Sequence, residues 1–361
     1  MVYNHLARQK TAEGPYPTRM KSMNKTEESV SLEHITWGIE RPTVCAILGL
    51  AFLIGVPGNL IVIWSICRNL KQKSSTVLLI LNLAISDILV LATLPVWIYS
   101  FANQWVFGIP FCKMLVYVIY CSMYSSVFFV TALSVERYLA VFHPFSMRIW
   151  KRNSFALKFI LLIWVAAFLF GIPILPVQET EELGDALQCT SRNYASGEEA
   201  TGLLLLETLA GFVIPFCIIC TCYACIGRRI RQMTYTTKHR SETLITSVVI
   251  AFAVCWMPHH VFNLISVSSF LLETSDPEMA ATLDAITQMG VFISGALAFI
   301  SSFINPLLYA FAARKFRNHL RLDKCAKLFE LMSLSTRDES VRELSDMTKP
   351  NEALQVFALS D

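Results

Sequence analysis

Charge is scarce in this sequence, and it is missing where a water-soluble fold would need it. Only 16% of the 361 residues are Asp, Glu, Lys or Arg, mean hydropathy is +0.51, and the apolar residues gather in long blocks. That distribution excludes one ordinary soluble domain. No nucleophile and base, and no metal-ligand cluster, recur at a useful spacing, so an enzyme is not expected. Cations are not interleaved with aromatics in a patch, so no nucleic-acid partner is expected either. The blocks are unequal and show no doubling of the kind common in transporters. Their polar residues form one internal thread rather than the rings of a pore, which leaves a transporter or channel as the weaker alternative. Residues 1–42 lack an apolar core followed by a small-residue cleavage site, so the first block is expected to act as the insertion signal.

What is present is seven apolar runs, near 44–67, 77–101, 111–142, 155–175, 203–226, 244–272 and 285–311. Each is long enough to cross about 30 Å of hydrocarbon as a helix of roughly 20 residues, and lipid forces the helix because a lone segment must satisfy its own backbone. The expected fold is therefore an all-α integral membrane bundle of seven helices, residues 43–311. Arg68, Lys71, Lys73, Arg148, Lys151, Arg152, Arg228, Arg229, Arg314 and Lys315 fall at alternate junctions, whereas Glu181, Glu182, Glu198, Glu199 and Glu273 fall at the others. Positive residues mark the cytoplasmic side, which places 1–42 outside as a tail and the carboxyl end inside. Asn24 heads an Asn-Lys-Thr glycosylation acceptor, directly after a second candidate start, Met23. Residues 312–324 pattern as an amphipathic helix on the inner leaflet, with Cys325 as a palmitoylation candidate. Residues 325–361 are expected to be a disordered tail, whose Ser333, Ser335, Thr336, Ser340, Ser345 and Thr348 could carry phosphates for an arrestin-like partner.

Polar side chains at membrane depth are costly and so are candidate functional residues. Asn59 stands alone in the first run and Asp87 is the one charge in the second. The Asp87 carboxylate must be protonated, paired or bound to a cation, and Ser126 and Asn305 could complete such a cluster, which could equally be a polar knot holding the helices together. Glu136 and Arg137 sit side by side where the third run leaves the bilayer, followed by Tyr138. Pro215, Pro258 and Pro306 interrupt the fifth, sixth and seventh runs. Trp256, close before Pro258, sets a bulky lever beside an expected kink. Cys112 opens the third run on the outer side and Cys189 lies in the longest outer loop; oxidising surroundings favour joining them.

Gly58-Asn59, Leu83 to Asp87, Cys112 with Cys189, Glu136-Arg137-Tyr138, Trp164, Pro215 with Tyr223, Trp256 with Pro258, and Asn305-Pro306 with Tyr309 together resemble the rhodopsin-like G-protein-coupled receptors across essentially all seven runs. The resemblance implies that Arg137 engages a heterotrimeric G protein once the sixth helix swings outward, with Tyr223 and Tyr309 supporting the open form. It implies that Arg137 pairs with Glu136 at rest, and that Asp87, Ser126 and Asn305 can hold sodium. It also implies a plasma-membrane location and recruitment of receptor kinase and arrestin by the tail. Where many relatives place an acid to clasp this arginine, the chain has Lys238, with Glu242 one turn on. A loosely held resting state with basal signalling is the expectation.

Ile119 takes the position of the aspartate of amine receptors, and Phe299 that of the retinal lysine, so neither ligand class is expected. The segments around Tyr124, Glu207, Ile226 and His260 to Asn263 are similar to the leukotriene B4 receptors and their chemoattractant relatives. That likeness implies a hydroxylated fatty acid, leukotriene B4 or a relation, contacting Tyr124, Glu207, His260 and Asn263, and a G protein of the inhibitory class. Gln178, Val291 and Val116 stand where that group has cations or a histidine, leaving Arg192 and Lys113 as anion partners, with Gln178 as a further expected ligand contact. A carboxylate buried without a cation is heavily penalised, which keeps a different lipid or a small peptide open as alternatives.

Overall fold

A computed structural model describes residues 19–69, 74–143, 153–183, 186–231 and 239–314, with side chains from Pro42 onward except at 69, 153–154, 183, 191, 230–231, 239–245, 248, 288–289, 291–292 and 309–314. Among these residues the chain makes seven helical crossings. The first is the continuous helix Arg19–Asn69, of which Pro42–Arg68 is the apolar membrane-length part. The helix therefore starts well before the apolar run, and Asn24 falls in its outer stretch, where side chains are not described. The third is Gly108–Phe142, the sixth His239–Leu272 and the seventh Pro277–Arg314. Six crossings are long and apolar enough to span a membrane by length and composition; the seventh contributes the apolar stretch Ile293–Leu308. The amphipathic segment 312–324 lies past Arg314 for most of its length, and with Cys325 and the tail it falls outside the described residues, as does Lys238.

Prolines set the breaks. The second crossing divides into Ser75–Leu91 and Leu94–Ala102, with a proline in the first turn of the outer piece, where its missing N–H is tolerated. The fourth runs Asn153–Gly171 and resumes after Pro173 as Ile174–Val177. In the fifth, Gly197–Thr208 passes through a π-helical turn at Leu209–Val213 into Ile214–Arg231. Pro215 explains the turn: its ring crowds the carbonyl four residues back, at Gly211, and widening the coil by one residue relieves the clash. The sixth and seventh helices continue through Pro258 and Pro306.

Burial shows what each crossing faces. In the membrane-length window of the third, 72% of residues are buried, against 28% in the first, so the third helix is the axis of the bundle. Side chains left exposed include Leu53, Leu161, Leu169, Val254 and Leu271, the inverse of a water-soluble surface and suited to lipid. One apolar core gathers Ile66, Leu83, Phe129, Leu133 and Ile219; a second gathers Leu48, Trp97, Trp105, Tyr124 and Trp256.

The long outer loop is not irregular. Gln178–Leu183 (β1) and Ala186–Arg192 (β2) form an antiparallel hairpin, with Gln178 opposite Arg192 and a register shift between Glu179 and Glu181. The Cys112–Cys189 disulfide pins β2 to the top of the third helix. Trp105 N–H donates to Leu187 O at 2.7 Å, and Ser100 and Gln188 exchange two hydrogen bonds of 2.9 and 3.0 Å. Gly108, at φ +78°, makes the turn into the third helix with a backbone angle that glycine adopts without strain. These ties fix Arg192, at the end of β2, over the mouth of the bundle.

Candidate functional site

Below the hairpin the third, fourth and fifth crossings enclose a cleft of about 20 Å³, lined by Tyr120, Tyr124, Phe170, Ile174, Val177, Leu203 and Leu206, with Arg192, Tyr194 and Glu207 at its polar end. One wall is apolar and the other carries a charged cluster. Glu207 is the centre of that cluster. Its Oε2 accepts from Tyr120 Oη at 3.1 Å and from Arg192 Nη1 at 3.5 Å, and its Oε1 meets His259 Nε2 at 2.5 Å. Arg192 Nη1 also donates to Tyr194 Oη at 3.3 Å, and Nη2 donates to Tyr120 Oη. The guanidinium lies 5.6 Å from the Tyr120 ring centre, close enough for a cation–π contribution. Burial opposes the Arg192 charge, but Tyr120, Tyr194 and Glu207 outweigh it and push the group well above its ordinary range. Arg192 is a permanent cation.

Of the residues expected at the site, the structure brings Tyr124, Glu207 and Arg192 to the cleft. Tyr124 packs on Phe170 at 5.5 Å. His260 is buried one layer away, stacked on Phe212 at 5.0 Å; neither of its ring nitrogens, nor Asn263 Nδ2, has a hydrogen-bond partner among the described residues. Lys113 is instead committed to Glu179 at 3.2 Å and to Pro176 O at 3.4 Å on the outer rim. Gln178 lies against the disulfide, its Nε2 3.8 Å from Cys112 Sγ. Neither lines the cleft. Tyr120, Tyr194 and His259 belong to the cluster although the sequence did not single them out. Tyr120 was within reach, since it precedes Tyr124 by one turn on the same face. His259 was not, because adjacent histidines on a helix point about 100° apart and the sequence does not say which faces inward.

From His259 the polar line continues to the helix 6 lever. The ring stands edge-on to Trp256 at 6.0 Å, on either side of Pro258. The Trp256 indole N–H is buried and finds no acceptor among the described residues.

Deeper in the bundle, Asp87 Oδ2 accepts from Asn305 Nδ2 at 2.9 Å. Ser126 approaches through Ser86, whose hydroxyl lies 3.0 Å from it and 2.7 Å from that of Ser125. The Asn305 amide turns its nitrogen to the carboxylate, and the Ser125 and Ser126 hydroxyls both meet that of Ser86; carboxylate and hydroxyl oxygens are the donors a small cation takes, and Asp87, Asn305 and Ser126 are the residues that would hold one. Asn59 donates to Gly55 O and Ser302 O, both at 3.0 Å, tying the first crossing to the seventh. Asn82 accepts from Trp164 Nε1 at 3.0 Å.

At the inner end, Glu136 and Arg137 are both buried, at 1% and 6% exposure. Glu136 accepts from Ser75 Oγ, and Arg137 Nε and Nη2 reach no hydrogen-bond partner among the described residues. Consecutive helical residues point about 100° apart, so the two side chains leave the helix in different directions. Tyr138 stacks on Phe142 at 4.8 Å, Tyr223 packs against the inner core, and Tyr309 lies in the seventh helix with its side chain not described.

Comparison with known proteins agrees with this architecture. The family model of the 7 transmembrane receptor (rhodopsin family) matches residues 58–309. Leukotriene B4 receptor 1 of Homo sapiens is 33% identical over 299 residues, covering 81% of this chain and 84% of that receptor. Type-1 angiotensin II receptor B of Xenopus laevis is 32% identical over 318 residues, covering 85% and 86%. Chemerin-like receptor 2 of Mus musculus is 30% identical over 302 residues, covering 82% and 83%.

Proposed function

The chain belongs to the rhodopsin family of seven-transmembrane receptors, and from that premise we propose that its ligand is an amphiphilic lipid acid, leukotriene B4 or a related hydroxylated fatty acid. As a member of that family it is a multi-pass membrane receptor that responds to a ligand through a heterotrimeric G protein, and it is not an enzyme. The observation that carries the lipid reading is the cleft itself. An apolar wall of Phe170, Ile174, Val177, Leu203 and Leu206 ends at Arg192 and the Tyr120, Tyr124 and Tyr194 phenols. An acyl chain suits the first part, and a carboxylate with hydroxyl groups suits the second.

The cleft is small as it stands, with room for about one water. A ligand that needs more space binds better to a wider arrangement, and this differential affinity is what shifts a two-state bundle. The polar line Arg192, Glu207, His259, Trp256 crosses from the hairpin to the helix that carries Pro258, so spreading the cleft acts on that helix. Outward movement of its inner end would uncover Arg137 for the G protein, for which we infer the inhibitory class. Asp87, Ser126 and Asn305 would hold sodium in the resting form, with the cation favouring the closed packing. The plasma membrane is the proposed location, with arrestin and receptor kinase acting on the phosphorylated tail.

Substitution of Arg192 by alanine tests the reading. Affinity for leukotriene B4 should fall about tenfold or more, on the scale of a charge-assisted contact, while affinity for its methyl ester should change little. Equal losses for acid and ester would remove the proposed contact. A peptide is the second reading, favoured by the acidic outer strand with Glu179, Glu181 and Glu182 at the mouth, which suits a cationic segment. It predicts that a basic chemoattractant peptide, rather than any eicosanoid, stimulates nucleotide exchange.

A further inference from the structure

We propose that Glu207 is an internal occupant of the anion site, and that an acidic ligand binds by exchange, taking Arg192 from Glu207 rather than adding to a vacant cation. The inference rests on the lipid-acid reading above and concerns how that same site selects its ligand. Three donors of different chemistry converge on one carboxylate: the Tyr120 hydroxyl and the Arg192 guanidinium on Oε2, and the His259 imidazole on Oε1. Such a set is a receptor for a carboxylate, and the chain has filled it with its own. Glu207 side-chain exposure is 7%, so water does little to screen it, and a second carboxylate brought to Arg192 would share one guanidinium with it at close range. Like charges in a buried site raise each other's cost sharply. One of the two must withdraw.

Glu207 can withdraw because it has a second partner. Releasing Oε2 leaves Oε1 on His259, so the acid keeps a hydrogen bond while Arg192, Tyr120 and Tyr194 turn to the ligand. The exchange makes Glu207 a specificity-determining residue: it sets a threshold that only a carboxylate with additional apolar binding energy can pass. A short-chain acid offers charge without that energy and stays excluded. Loss of a residue that merely contacts the ligand weakens binding. Neutralising an internal competitor strengthens it, and the two roles therefore differ in the sign of the effect.

The experiment compares leukotriene B4 with its methyl ester on membranes bearing the full-length wild type and Glu207→Gln. The amide keeps the shape and accepts from Tyr120 but no longer competes for Arg192 as a charge. Acid affinity should rise about tenfold relative to ester affinity, and the gain should vanish in Glu207→Gln combined with Arg192→Gln. Should the amide variant fail to reach the membrane, Glu207→Asp withdraws the charge by one methylene and should give the same gain in smaller measure. A fall in the acid-to-ester ratio, or no change in it, overturns the exchange while leaving the lipid reading in place. Failure of wild type to bind either compound overturns both.

Discussion

The outer and inner polar sites of this bundle are built on opposite plans. At the outer end a carboxylate, a guanidinium, an imidazole and two phenols satisfy one another, with three bonds each at Glu207 and Arg192 and two at Tyr120. At the inner end a buried guanidinium is left with two nitrogens unmet by any described residue, beside an acid that bonds elsewhere. Redundancy makes the centre of the outer cluster cheap to rearrange, because Glu207, Arg192 or Tyr120 keeps another partner when it loses one. Two nitrogens of the inner arginine have no such reserve among the described residues, so a partner that supplies acceptors gains that unmet bonding. An exchange site outside and an unspent donor inside suit a receptor whose two ends take different partners.

The comparison depends first on the hairpin, whose second strand carries Arg192 over the cleft. Removing the disulfide by Cys112→Ala with Cys189→Ala should cost about 2–4 kcal/mol, seen as a lower midpoint in thermal unfolding of the purified receptor, and should lower acid affinity because Arg192 is no longer held over the cleft. Unchanged affinity would mean that the strand contacts at Leu187 and Gln188 suffice. At the other end, Arg137→Gln should reduce ligand-stimulated nucleotide exchange about a hundredfold, near the upper range for hydrogen bonds to a charged group, with ligand affinity measured without G protein unaffected. Full exchange in that variant would remove the inner site from the mechanism.

The inner site was legible in the sequence and the outer one only in outline, for a physical reason. Asp87, Arg137 and Asn305 are conspicuous because each is strongly polar at membrane depth, where lipid makes polarity expensive, so position along the chain is enough. Arg192 and Glu207 were identified too, but as ligand contacts; that they hold each other depends on the register of β2 and on the disulfide, neither of which leaves a local pattern. His259 was hidden beside His260. The π-helical turn that carries the fifth helix past Pro215, and the hairpin itself, were likewise not foreseen, since both follow from tertiary fit. The seven crossings were legible throughout because hydrocarbon length and backbone satisfaction leave little choice.

A third variant extends the comparison to the polar cluster between the two ends. Asp87 accepts from Asn305 at 2.9 Å and is also hydrogen-bonded by the Ser302 side chain of the same helix, and Asn305→Ala removes the first of these from a buried carboxylate. The loss should be about 1–3 kcal/mol of receptor stability, and sodium should restore part of it if the cation occupies that cluster, since a ligand bound only to the folded form raises its stability. Thermal unfolding in sodium against a large organic cation reads both effects. Absence of any sodium response in wild type and variant would count against the cation site.

The smallest effect is the most diagnostic for the outer cluster. Tyr194 offers its hydroxyl to Arg192 Nη1 at 3.3 Å, but the same nitrogen also reaches Glu207 and the neighbouring one reaches Tyr120. Tyr194→Phe keeps the ring on Phe270, whose centre is 6.0 Å away, and removes only the oxygen. If the cluster is as redundant as its geometry indicates, stability should change by less than about 1 kcal/mol and acid affinity by less than about threefold. A larger fall in acid affinity with ester affinity intact would mean that Tyr194, rather than Glu207, decides where the Arg192 charge points. The exchange would then be governed from the loop that follows β2 instead of from the fifth helix.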